Sequence, residues 1–124
     1  MRAIVLFAHG ARDPRWAEPF EAVAGRVRAT APGCKVALAF LELMTPTLSE
    51  AVDALLADGA SRIDVVPLFL GTGGHLRGDL PPLVDAIRAA HPGVEVRLHD
   101  AIGESAAVID AIARAAVGAA GFGE

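Results

Sequence analysis

The sequence predicts an α/β fold with a four-stranded, mainly parallel sheet of order 2-1-3-4. Helices cover both of its faces in a three-layer, flavodoxin-like arrangement. Three observations lead there. Apolar runs of strand length alternate four times with segments of helical periodicity. The runs Ala3-Ile4-Val5-Leu6-Phe7-Ala8 and Val65-Val66-Pro67-Leu68-Phe69-Leu70 are nearly continuous, as in strands covered on both sides. The connections are short, which implies right-handed crossovers and parallel pairing. Order 2-1-3-4 puts the two most apolar strands side by side at the centre.

The strands are expected at about 3–9, 34–41, 62–70 and 94–99, and the helices at about 16–31, 47–58, 79–91 and 104–117. In the first helix Phe20, Val23, Ala24 and Val27 fall on one face. The second repeats this with Leu48, Val52, Leu55 and Leu56. Thr47 and Glu50 have capping-box spacing before that stripe, and Gly59 follows it as a stop signal. Asp79 is placed to cap the third helix, with Pro81 in its first turn and Leu83, Val84 and Ile87 facing the core. The fourth helix is expected to bury Val108, Ile109, Ile112 and Ala116, leaving Gly118 to Glu124 as a frayed tail.

One domain over residues 1–124 suits this length. Apolar residues make up 53% and charged residues 21%, which describes a packed chain and not a disordered one. The formal net charge of −4 argues against nonspecific nucleic-acid binding, which needs clustered Lys and Arg. Cys34 is the only cysteine, so no intrachain disulfide forms and a reducing, cytoplasmic setting is expected. The first apolar run is too short for a signal peptide, and no run approaches the roughly 20 residues that span a bilayer.

The chemistry gathers at two predicted strand ends. His9 closes the first run, and His75 follows the third through Gly71-Thr72-Gly73-Gly74. Ligands of open parallel sheets sit at the carboxyl ends of strands. Either histidine alone would more often be a turn residue. Two on one edge make a candidate transition-metal site with open coordination positions. Glu42, after the second strand and among apolar residues, is the third member: a metal ligand, a general base, or a solvated loop residue. Gly73 and Gly74 let the backbone approach a ligand, and Arg12 and Arg77 lie just beyond the histidines, placed to pair with substrate carboxylates. No Gly-Lys-Ser/Thr or dinucleotide fingerprint follows the glycines, so no nucleotide is expected.

His9-Gly10-Ala11-Arg12-Asp13-Pro14, Phe40-Leu41-Glu42 with Pro46, and Pro67-Leu68-Phe69-Leu70 leading to Gly74-His75 and Asp79-Leu80-Pro81 carry a resemblance. In this order and spacing they resemble the CbiX/SirB class II chelatases over nearly the whole chain. Ala11 stands where that family commonly has Ser. The resemblance implies a chelatase-like fold, in the small single-domain form that pairs as a homodimer. It also implies insertion of a divalent metal into sirohydrochlorin, with His9 and His75 holding the metal and Glu42 assisting. The metal substrate it implies is Co²⁺ first, with Fe²⁺ and Ni²⁺ as alternatives. Taken without the resemblance, the same residues also suit a non-enzymatic metal carrier or a metal-free binding domain.

Overall fold

The computed structural model describes residues 1–71 and 73–122, and for His75 and Leu76 the main chain only. Its sheet has four parallel strands in the order β2-β1-β3-β4: β1 Arg2–Ala8, β2 Lys35–Phe40, β3 Arg62–Pro67 and β4 Glu95–Leu98. Val5 of β1 pairs with Ala37 on one side and Val65 on the other. The two central strands are the two apolar runs, as expected from the absence of any solvated face to feed.

The helices are α1 Glu18–Thr30, α2 Leu48–Ala57, α3 Gly74–Ala90 and α4 Ala106–Ala119. The main core lies between one face of the sheet (Ala3, Val5, Phe7, Ile63, Val65, Val96) and α2 and α3, which contribute Leu48, Val52, Leu55, Leu80, Val84 and Ile87. Each large side chain fully buried here stabilises by about 1.5–3 kcal/mol. A smaller cluster on the other face joins Ala8, Ala17 and Phe40 to Trp16, Phe20, Leu38 and Met44. The Trp16 ring stacks 4.6 Å from Phe20 and lies 6.5 Å from Phe40.

The second helix forms as its sequence dictates. The Thr47 hydroxyl accepts from the Glu50 N–H and Glu50 Oε1 accepts from the Thr47 N–H, so the capping box satisfies two end donors. Gly59 follows the helix with φ +99°, a conformation that a side chain would strain.

Other expectations need correction. The first helix opens with a separate 3₁₀ turn, Pro14–Ala17, capped by the Asp13 carboxylate on the Arg15 N–H. β3 stops at Pro67 instead of continuing to residue 70: the Leu68 N–H still donates to the Phe7 carbonyl at 2.8 Å, but the Phe69 carbonyl beyond it accepts from Gly103. α3 starts at Gly74, not at Asp79. Gly73 takes the extended cap conformation, so Asp79 sits inside the helix and not at its N-cap. Cys34 precedes β2 and is half-buried. α4 runs to Ala119, through the start of the expected tail, and none of its residues is buried. Among the described residues no helix is long and apolar enough to cross a membrane.

Candidate metal and tetrapyrrole site at the strand ends

His9 and Glu42 come together through the backbone. Just past the ends of β1 and β2, the Leu41 N–H donates to the Ala8 carbonyl at 2.9 Å and the Glu42 N–H to the His9 carbonyl at 3.0 Å. His9 Nε2 accordingly lies 3.7 Å from Glu42 Oε1, with the two side chains 48% and 53% exposed. They face solvent, where an incoming ligand can reach both.

Gly10 makes this approach feasible. It has φ +100°, and a Cβ there would collide with the Glu42 carbonyl. The chain then folds back on itself: Leu43 adopts a left-handed conformation (φ 64°), the Thr45–Pro46 bond is cis, and the Phe40 N–H donates to the Pro46 carbonyl at 2.9 Å. On the opposite side the Phe69 ring meets His9 edge-on at 6.2 Å and Phe7 at 6.3 Å. Phe69 is itself fixed from outside, because its carbonyl accepts from the Gly103 N–H at 2.9 Å. A side chain at Gly103 would strike the Leu70 backbone.

The remaining site candidates are distributed along the same edge. Arg12 is exposed in the loop after β1. Gly73 caps α3 and Gly74 is its first helical residue, so the segment expected as a free loop is partly helix. The His75 main chain lies in the first turn of α3, not in a loop, and its side chain is outside the described residues. Arg77 is exposed and pairs with Glu104 at 3.0 Å. Both line a cleft of about 210 Å³ at the carboxyl ends of β3 and β4, with Leu98, His99 and Asp100. Among the described residues no group of three His, Cys, Asp or Glu side chains converges on one point.

The sequence reading passed over Asp64. It is 5% exposed in the middle of β3, where it meets His99 Nε2 at 2.8 Å, Arg2 at 3.4 Å and Arg62 at 3.4 Å. Burial opposes its ionisation, but hydrogen bonds from His99, Arg62 and Arg2 outweigh that and hold its carboxyl below the usual carboxylate range. The signal was available as a lone acid within an apolar strand, flanked by Ile63 and Val65.

Comparison with known proteins gives this edge its context. Residues 3–118 match the CbiX family model. The sirohydrochlorin cobaltochelatase of Saccharolobus solfataricus is 36% identical over 109 residues, covering 83% of this chain and 84% of that protein. The sirohydrochlorin ferrochelatase of Priestia megaterium is 30% identical over 110 residues, covering 89% of this chain but only 41% of that protein. The chain therefore spans less than half of that longer relative. Among solved structures, a CbiX protein from Marinobacter aquaeolei superposes with TM-score 0.86 at 35% identity, over 97% of this chain and 98% of its own. With a sheet of the expected order, a histidine–carboxylate pair at its carboxyl edge and a match from residue 3 to residue 118, this chain belongs to the CbiX family.

Proposed function

We propose that this protein is a sirohydrochlorin chelatase: residues 1–124 act as one domain that inserts a divalent metal into the tetrapyrrole without nucleotide hydrolysis. One observation carries the reading. A chain similar over most of its length to a sirohydrochlorin cobaltochelatase holds His9 and Glu42 3.7 Å apart on an open strand edge.

In this reading His9 and His75 bind the metal substrate, and Glu42 either joins them as a ligand or takes a proton. Each M²⁺ that enters the macrocycle replaces two pyrrole N–H protons, so two protons must leave as two metal–nitrogen bonds form. Glu42 is placed to accept one, and water or a released imidazole accepts the other. Arg12, Arg77 and the backbone N–H groups of Gly73 and Gly74 orient the carboxylates at the macrocycle edge, Arg77 exchanging Glu104 for a substrate carboxylate. Holding metal and macrocycle together makes insertion effectively unimolecular. An incomplete protein shell lets the metal leave again.

The metal is Co²⁺ in first place, with Fe²⁺ and Ni²⁺ as competitors; relatives named for cobalt and for iron both resemble this chain. The protein acts as a homodimer in the cytoplasm, on the tetrapyrrole alone, with neither nucleic acid nor membrane as partner. The longer chain of the Priestia relative supports pairing, since two copies of this domain supply comparable mass.

The test is metal insertion by the purified protein, followed by the absorbance of sirohydrochlorin, beside His9→Ala and His75→Ala. Metallation by the wild type and its loss in both variants is expected. Full rates in both variants would overturn the ligand assignment. Metal binding without metallation, for all three metals, would leave a metal carrier instead.

A further inference from the structure

Two large apolar side chains stand out of the core at the carboxyl edge of the sheet. Leu43 is 56% exposed and Leu70 71%. Among the described residues, the other exposed large apolar side chains lie near the chain ends, on α1 or on α4. The exposure is selective. After β2, Leu41 packs against the main core and Met44 against the Trp16–Phe20 cluster, while Leu43 between them joins neither. After β3, Phe69 is buried in the main core and Leu70 turns out of it.

Neither leucine is a frayed end. The Leu43 loop is closed by the Glu42 N–H on the His9 carbonyl and the Phe40 N–H on the Pro46 carbonyl. The Leu70 main chain is packed so tightly on Gly103 that no Cβ fits there. Leu43 also keeps φ 64°, a conformation that Gly or Asn adopts far more readily than a bulky side chain. Strain of this kind, kept at an exposed leucine, suits a ligand clamp better than a role in stability. Both leucines flank the metal pair. Leu43 follows Glu42, 3.7 Å from His9 on the β2 side, and Leu70 follows Phe69, edge-on to His9 on the β3 side. The strands they follow stand two spacings apart, about 10 Å, with β1 between them. Apolar groups so placed, astride a histidine, match a flat ring system lying over the metal. Exposed Arg12 and Arg77 on the same edge match charged groups around its rim.

We propose that Leu43 and Leu70 are specificity-determining residues for the macrocycle: both rest against its flat face and hold it above His9, taking no part in metal or proton transfer. The inference rests on the sirohydrochlorin reading above and adds to it the contact that recognises the ring itself, as distinct from its carboxylates. Such contacts are present before and during insertion alike, so they act on substrate affinity and not on turnover.

The test compares the full chain with Leu43→Asn, Leu70→Ala and the double variant. Metal-free sirohydrochlorin is titrated by absorbance, and Co²⁺ insertion is followed at steady state. Each single change should raise the Kd and KM for sirohydrochlorin by roughly 5- to 10-fold, with kcat and the Kd for Co²⁺ little changed. Leu70→Met, similar in volume and apolar, should keep the wild-type affinity. Leu43→Asn suits the left-handed backbone, so its melting temperature should hold or rise while its affinity for the macrocycle falls. Wild-type Kd and KM in the double variant overturn the proposal, as does a loss confined to kcat. A double variant that changes mass by light scattering with its macrocycle affinity intact also overturns it, and gives the leucines to a second copy. A wild type that binds sirohydrochlorin without metallating it ends the chelatase reading; weaker binding by the variants then still upholds the leucine contact. A wild type that does not bind sirohydrochlorin ends both.

Discussion

The Glu42 N–H donates to the His9 carbonyl at 3.0 Å, and their side chains end 3.7 Å apart. The spacing of this pair is set by main-chain pairing, so either side chain can be changed without moving the other. That separation makes the site unusually testable.

His9→Ala should reduce metal insertion by more than about 10- to 100-fold, the loss typical of groups that only support a metal ligand. The side chain is half exposed, so unfolding stability should stay within about 0.5 kcal/mol of the wild type. Initial rates by absorbance and a urea titration of the same samples check both halves.

Glu42→Gln keeps the shape and removes the base. If Glu42 accepts a proton, turnover falls by roughly 10²- to 10⁴-fold while metal affinity holds within a few-fold. If it is a ligand, affinity falls with it. Calorimetric titration of Co²⁺ beside the steady-state rate separates the two roles.

Gly10→Ala should damage both fold and site. Its positive φ and the collision with the Glu42 carbonyl together cost about 1–3 kcal/mol, and Glu42 must shift away from His9. Gly25→Ala is the contrast. It lies within α1 with nothing within 4 Å of the added methyl, and should stabilise by about 0.5–1 kcal/mol. Denaturant midpoints that move in the same direction for both would contradict this.

Asp64 gives the stability curve an acid limb. Its folded-state pKa is lowered, so its contribution is fully present above the unfolded carboxylate value near about 3.9. That contribution is lost as pH falls through the lower folded value. Asp64→Asn should cost about 1–2 kcal/mol at neutral pH and flatten the limb below about pH 4. Unfolding midpoints at several pH values measure it.

The sheet order was legible because the continuous runs around Val5 and Val65 admit only central places. The second helix was legible because Thr47 and Glu50 write its start into the chain. The start of α3 was hidden, since Gly73 and Gly74 read as a turn by propensity while the backbone uses Gly73 as a cap. Placing His75 in a loop followed from that error. The burial of α4 was misread for a different reason. Periodicity shows that Ile109 and Ile112 want a partner, but not whether the partner belongs to the same chain. The role of Asp64 was hidden because an apolar run marks it as out of place but not that His99, 35 residues away in the chain, is its partner.

Gly103 ties the turn that launches α4 to the carbonyl of Phe69, and Phe69 leans edge-on against His9. The contact has no slack, since not even a methyl fits between Gly103 and the Leu70 backbone. A tug on the last helix is therefore passed through one glycine to the aromatic neighbour of His9. Whatever fastens that helix also steadies the imidazole.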